Sequence, residues 1–350
     1  MRLIITRDGG TLYEHPHPGP ARVLLCSTEP SRQLLTDPAV TGSAYRRLVR
    51  SAVADALAMF RADAAGARVL SADEMSVVTI LRGGLSFGVE EAVTTACDVE
   101  ADVSFVGTER SASALPNIVY ERWELGSGPV LAGDILATGG TVTAVLSSLR
   151  AAAVPRRRRP TAVVLVAIGS AAGVDAVQRF VAAWDPSERP EVTIILLEAS
   201  FALPAPGTTA PFPRFSFDLL RSAAGSTPEY EAARLASVGS LFERCAVYDG
   251  GVRAFTPSAH VDDRASWWAT VVDRAVPLSV LARQTAGLSD YALPPSRWRR
   301  HLPWASQSGV DLDLIHDLGA RALGYAERTA TADHVNEQLA KGRTQRCPVA

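Results

Sequence analysis

From Met75 onward the chain alternates short, β-rich apolar runs with longer segments whose apolar residues recur at helical spacing. Continuous apolar runs of this length suit strands buried on both faces, and their alternation with helices predicts an α/β fold on a parallel sheet. The predicted strands are 76–81 (SVVTIL), 101–106 (ADVSFV), 129–132 (PVLA), 161–168 (TAVVLVAI) and 192–198 (VTIILLE). Helices are expected over 86–97, 141–152 and 171–184, each opened by Gly or Ser, with an earlier one over roughly 42–62. The stretch 107–128 (GTERSASALPNIVYERWELGSG) breaks the rhythm: it is too long for a tight turn and has no helical stripe. Connections of that length inside a compact domain are usually functional.

After about residue 200, FALPAPGTTAPFPRF brings Pro and Gly too densely for a regular element, and the sheet is expected to end there. Residues 226–350 read as mainly helical. The expected organisation is an N-terminal arm (1–40), an α/β domain (41–225) and a helical extension (226–350), in which Trp267 and Trp268 anchor the extension to the rest. His15 and His17, in YEHPHPGP, read as part of an extended, proline-spaced arm.

Composition narrows the chemistry. A charged fraction of 21% and a net charge of -2 exert no global pull toward nucleic acid or membrane, so an anion site has to be local. Lys341 is the single lysine, so arginine carries nearly all the positive charge, and phosphate contacts are expected to be forked guanidinium contacts. The run PRRRRP (155–160) reads as a solvated loop between a helix and a strand. Cys26, Cys97, Cys245 and Cys347 are widely separated, which argues for a reduced, cytoplasmic setting without structural zinc. No apolar run reaches the ~18 residues of a membrane span.

The chemically informative turn is GDILATGGT (133–141), where a predicted strand feeds a predicted helix. Such a turn aims backbone N–H groups and the positive end of a helix dipole at one spot, which suits a phosphate. Gly139 and Gly140 allow close approach, and Thr138 and Thr141 add hydroxyl donors. Asp134 would repel a phosphate, so it is expected to face sugar hydroxyls or a magnesium ion. The G-x-x-x-x-G-K-[ST] and G-x-G-x-x-G phosphate loops are both absent. The plain alternative is a glycine turn that only joins strand to helix.

The turn resembles the ribose-5-phosphate loop of type I phosphoribosyltransferases. VVTILRGGLSFGVEEAV (77–93) and the phrase LATGG resemble the uracil phosphoribosyltransferase branch, and Arg110 and Tyr120 fall about where that branch has an arginine and a tyrosine on a mobile loop. The likeness covers roughly 40–200. Two departures stand out: Gly133 occupies the place of that branch's loop acid, and FALPAPGTTAPFPRFSFDLL (201–220) lacks the glycine-rich segment that reads uracil.

The resemblance implies a parallel-sheet, Rossmann-like core, a homodimer, and Mg²⁺-dependent transfer of phosphoribosyl from phosphoribosyl pyrophosphate to a heterocycle other than uracil. Ala137, Thr138, Gly139, Gly140 and Thr141 would hold the 5-phosphate, and Asp134 the ribose hydroxyls. Arg82, Gly83 and Gly84 would hold the pyrophosphate, with Arg110 closing over it and Mg²⁺ carried by the substrate. Tyr120 and Trp123 are either base contacts or loop packing. Phe215, Phe217 and Asp218 either engage the acceptor ring or form one face of a strand.

Other readings remain open. A sensor of the same metabolite would keep the loop without turnover, with PRRRRP as a nucleic-acid contact, and the reaction could also run in reverse. Gly84 to Gly88 matches G-x-S-x-G, so a serine hydrolase would use Ser86 with His260, His301 or His316 as base; otherwise Ser86 is expected to cap the helix that follows. His260 with Asp262 and Asp263 reads as either a metal cluster or helix-start charges.

Overall fold

The computed structural model describes residues 1–7, 9–81, 83–109, 116–156, 158–203, 222–237, 250–275, 277, 279, 291–302 and 309–326. Strands β4 (Ser76–Leu81), β5 (Asp102–Glu109), β7 (Val130–Leu136), β8 (Ala162–Ser170) and β9 (Glu191–Phe201) form the predicted parallel sheet, joined by β3 (Arg22–Thr28). Their order is β3-β9-β8-β7-β4-β5. All nine residues of β8 are buried, as a strand covered on both faces requires.

Helices cover both faces. On one side α5 (Gly140–Arg156) and α6 (Ala171–Ala182) pack Val142, Val145, Leu149, Val174 and Val177 onto the sheet. On the other lie α1 (Glu29–Thr36), α2 (Gly42–Ala62), α3 (Ala64–Val69) and α4 (Val89–Cys97). Helix α2 buries Tyr45, Val49, Ala52, Val53, Ala56, Leu57 and Phe60, the stripe expected of a helix lying on a core.

The structure differs from the sequence reading at four places. Residues 1–28, read as part of an arm, contain β1 (Arg2–Arg7), β2 (Gly10–Glu14) and β3; the first two extend the sheet as an antiparallel hairpin. The irregular stretch 107–128 contains β6 (Asn117–Arg122), which runs antiparallel to an elongated β5. Its exposed pattern hides it from a search for apolar runs. The sheet continues past residue 203 with β10 (Ser222–Ser226), antiparallel to β9. Helix α4 starts at Val89 rather than 86, because Gly83–Ser86 forms a 3₁₀ turn and Gly88 takes a left-handed φ of 55°.

The described part of the C-terminal region is helical: α7 (Pro228–Ala236), α8 (Gly250–Phe255), α9 (Pro257–Asp273), a short helix Pro295–Trp298 and a final helix Leu312–Ala326. Trp267, Trp268, Trp298 and Ile315 belong to the same buried cluster as α2 and the α2-facing side of the sheet. The extension therefore completes the core on that face.

Candidate functional site

Along the chain, β4 leads to β5 on one side, whereas β7 leads to β8 and β9 on the other. The direction of winding reverses between β4 and β7, and open α/β sheets bind ligands at the carboxyl ends of such a strand pair. Both stretches singled out in the sequence meet there: β4 runs into the turn Gly83–Ser86, and β7 runs into the loop that opens α5.

The loop is a tight glycine turn onto the helix. Gly139 has a φ of 81°, a conformation in which a side chain would be strained, and its carbonyl accepts the first bond of α5 from Thr143 N–H at 2.9 Å. The N–H groups ahead of Thr143 in the first turn have no acceptor within the helix and face the loop. Thr138 is exposed and Thr141 half-buried, as hydroxyls meant for a ligand should be.

Two residues absent from the sequence reading hold the turn. Thr143 Oγ1 donates to the Gly139 and Gly140 carbonyls, each at 3.0 Å. Ser170, at the end of β8, donates to the Ala137 carbonyl and caps α6 by accepting from Gly173 N–H at 3.0 Å. Their signals, a hydroxyl one turn into a helix and a hydroxyl ending a strand, are common in any sequence.

Asp134 is the buried carboxyl of the site, 5% exposed at the end of β7. Burial pushes its pKa from 3.8 up to about 7, partly offset by a hydrogen bond from the Ile135 backbone N–H. Gly83 lies directly against it: a Cβ there would be 2.3 Å from Asp134 Oδ1, so a side chain at 83 would cover the carboxyl.

The missing acid at Gly133 has a steric explanation. A Cβ at 133 would stand 2.7 Å from Phe87 Cβ and 2.7 Å from Val89 Cγ2, where α4 packs on the sheet. The position that could carry a first acid is occupied by the close approach of α4.

Other sequence candidates are outside the described residues or take other roles. Arg82, Arg110, Phe215, Phe217 and Asp218 are outside the described residues. Tyr120 is 50% exposed on β6, opposite Gly107. Trp123 is buried, and its Nε1 donates to Ser148 Oγ at 3.1 Å, which makes it a packing residue.

Ser86 does not cap α4; it is buried, and its Oγ donates to the Gly83 carbonyl at 2.9 Å. His260 and His316 direct Nε2 to the Pro38 and Leu293 carbonyls at 2.9 and 3.0 Å, so neither serves Ser86. The His301 side chain is outside the described set. No group of three metal-ligating side chains occurs among the described residues, His260 with its neighbouring acids included. His15 lies at the opposite edge of the sheet, bonded through its N–H to the Val23 carbonyl at 2.9 Å. In PRRRRP, Arg158 donates to the Leu125 carbonyl at 2.7 Å and Arg159 to Glu188 at 3.0 Å.

No family model matches the chain, and no curated protein does. Solved structures share distant similarity. The AQ2163 protein from Aquifex aeolicus is 19% identical, with 47% of this chain and 80% of that one covered at a TM-score of 0.35. A hypoxanthine phosphoribosyltransferase from Staphylococcus aureus is 14% identical over 42% of this chain and 74% of that one, with a TM-score of 0.28. The hypoxanthine-guanine phosphoribosyltransferase of L. donovani is 13% identical over 46% and 82%, with a TM-score of 0.29. Likeness at this level leaves the activity to be argued from the site.

Proposed function

We propose that the protein is a Mg²⁺-dependent phosphoribosyltransferase that moves phosphoribosyl from phosphoribosyl pyrophosphate to a nitrogenous heterocycle other than uracil. The observation that carries this reading is the pairing, at the β4/β7 switch point, of a glycine-turned helix start with the buried acid Asp134, against which the bare backbone of Gly83 lies. The motif likeness over 77–93 and 133–141 supports it, and the likeness to the uracil branch rests on those motifs alone.

In this reading the α5 N-terminus and residues 137–141 hold the 5-phosphate, while the Asp134 carboxylate accepts from the ribose hydroxyls. Arg82 with the backbone of Gly83 and Gly84 takes the pyrophosphate, and Arg110 closes over it. Mg²⁺ bound to the pyrophosphate oxygens neutralises charge on the leaving group, a role suited to a hard cation delivered with its own oxygen ligands. As the C1–oxygen bond lengthens, C1 gains positive character and pyrophosphate gains negative charge. Placed guanidinium groups and helix N–H groups lower that barrier electrostatically, and loop closure keeps water from taking the sugar. Attack by the acceptor nitrogen forms the new bond at C1 as pyrophosphate departs, with no covalent enzyme intermediate.

Pyrophosphate release with phosphoribosyl pyrophosphate, Mg²⁺ and a panel of bases tests the reading, alongside calorimetric binding of the donor. Release with one base establishes the transferase. Binding without release would replace it by a metabolite sensor, and absence of binding would remove both.

A further inference from the structure

We propose that the first turn of α6 belongs to the sugar-phosphate site: Ser170 and Gly173 are positioning residues that draw the Ala137 carbonyl onto α6 and so turn the Thr138 N–H outward, toward the 5-phosphate. This rests on the donor-site reading for its ligand, though the orientation of the peptide is measurable without one.

Residues 136–139 lie directly on α6, and main-chain atoms make the contact. A Cβ at Gly173 would stand 2.6 Å from the Leu136 carbonyl oxygen and 2.7 Å from that of Ala137, so only glycine admits this approach. The loop answers with a glycine of its own. A Cβ at Gly139 would stand 2.9 Å from the Gly173 carbonyl oxygen and 2.6 Å from Ala176 Cβ. None of these atoms is the far end of a flexible side chain, so a side chain at either position has to move the loop or the helix.

Ser170 supplies the direction. It ends β8, is fully buried, accepts from the Gly173 N–H at 3.0 Å and donates its own hydroxyl to the Ala137 carbonyl. A trans peptide points its C=O and N–H to opposite sides. Anchoring the Ala137 carbonyl on α6 therefore aims the Thr138 N–H away from α6, on the side where Thr138 is exposed while Gly139 is buried. Among the described residues no acceptor meets that N–H. Carbonyl oxygens repel an anion, and α6 takes up the two that the loop would otherwise present. The hydrogen bonds from Gly173 N–H to Ser170 to Ala137 also form a chain whose members polarise one another, which strengthens the Thr138 N–H as a donor.

The test uses the full chain with Ser170→Ala, Ser170→Thr and Gly173→Ala. Calorimetry measures ribose 5-phosphate and Mg²⁺-pyrophosphate separately, since the first would bind at this loop and the second at the turn after β4. In the ligand-free chain the ¹H–¹⁵N signal of the Thr138 amide, assigned by difference with Thr138→Ser, reports on the peptide itself.

Ser170→Ala and Gly173→Ala should weaken ribose 5-phosphate binding roughly ten- to a hundredfold, the scale on which small misplacements of a site act, and leave pyrophosphate affinity unchanged. In Ser170→Ala the Thr138 amide should move upfield, because its peptide loses the donor that polarises it. Ser170→Thr keeps the hydroxyl and should restore both readouts. Equal losses for the two ligands would mean a general structural role and overturn the proposal, as would unchanged ribose 5-phosphate affinity or a Ser170→Thr chain no better than Ser170→Ala. If Ser170→Ala does not fold, Gly173→Ala decides by the same split between ligands. If wild type binds no ribose 5-phosphate, the donor reading falls and the Thr138 amide alone decides the orientation: an upfield shift in Ser170→Ala upholds it, and an unmoved signal overturns it.

Discussion

Asp134 and Glu198 are two buried carboxyls at the carboxyl ends of parallel strands, both raised to about 7 by burial, yet their surroundings assign them opposite work. Glu198, at the end of β9, is surrounded by donors from its own chain. Thr28 N–H reaches Oε1 at 3.0 Å, Ser31 Oγ donates to the same oxygen, and Thr227 Oγ1 reaches Oε2 at 2.7 Å. It also holds a left-handed φ of 69°, costly for a residue other than glycine and maintained by what surrounds it. Among the described residues no side chain donates to Asp134, and the Ile135 backbone N–H only partly offsets the upward push of burial on its pKa. A carboxyl whose hydrogen bonds are all supplied internally is a joint, here between β9, α1 and α7. One to which no described side chain donates, beside a glycine turn, is the one the proposed function assigns to donors from outside.

The largest expected effect breaks the joint. Glu198→Ala leaves the Thr227 hydroxyl without its acceptor, at about 1–3 kcal/mol, and empties a buried site at a further cost of about 1–3 kcal/mol, while the Thr28 N–H and Ser31 hydroxyl keep Ser31 Oγ and the Thr28 carbonyl as partners. Chemical denaturation should show a loss of roughly 3 kcal/mol or more; a loss under about 1 kcal/mol would mean that the network is dispensable.

Asp134→Asn should behave in the opposite way. Donor affinity should fall by at least about tenfold, because an amide no longer accepts the ribose hydroxyls as a carboxylate does, while stability changes by less than about 1 kcal/mol. Equal donor affinity would remove Asp134 from the site and erase the contrast with Glu198.

The pH dependence sharpens the same pair. Both acids have folded pKa values above their unfolded ones, so the native state binds more protons and their stabilising contribution is complete below about pH 4. It is lost as pH rises through about 7. Donor affinity should run the other way, rising through the same interval as Asp134 ionises. Glu198→Gln should preserve that rise and Asp134→Asn should flatten it; calorimetry between pH 5 and pH 8 reads both.

Smaller effects are expected nearby. Gly133→Asp restores an acid to the loop but drives its Cβ into Phe87 and Val89, which should cost about 1–3 kcal/mol in thermal or denaturant melts and yield no tighter donor binding. Ser86→Ala removes one hydrogen bond to the Gly83 carbonyl and should cost about 1 kcal/mol or less, with activity retained. Abolished turnover there would revive the hydrolase.

Legibility in the sequence followed burial. Strands β4, β7, β8 and β9 are mostly apolar because both faces are covered, so their composition announces them, and α2 carries a stripe long enough to give its limits at 42 and 62. The strands at and beside the edges were silent: β6 is mostly exposed, and β1 and β2 carry short, mixed patterns beside glycine and proline. Their pairing comes from neighbours distant in sequence, and no local pattern records it. The strand end at 133–141 was visible through its glycines, hydroxyls and acid, and that at 83–84 through its paired glycines, although the turn that follows was read as the start of a helix. Thr143, Ser170 and Glu198 were not, since each draws its meaning from the partners it meets.

By itself the sequence determined a two-sided α/β sheet and marked one glycine turn at a strand end as the candidate site. Apolar periodicity and glycine placement are local properties, written one residue at a time. Tertiary structure alone decided that α4 and Phe87 occupy the place of a second acid beside Asp134, and that, among the described residues, side chains donate to Glu198 and none to Asp134. It also decided that Gly173 of α6 lies against the Leu136 and Ala137 carbonyls. Burial and hydrogen-bond supply are sums over neighbours from distant parts of the chain, and only the folded molecule brings those neighbours together.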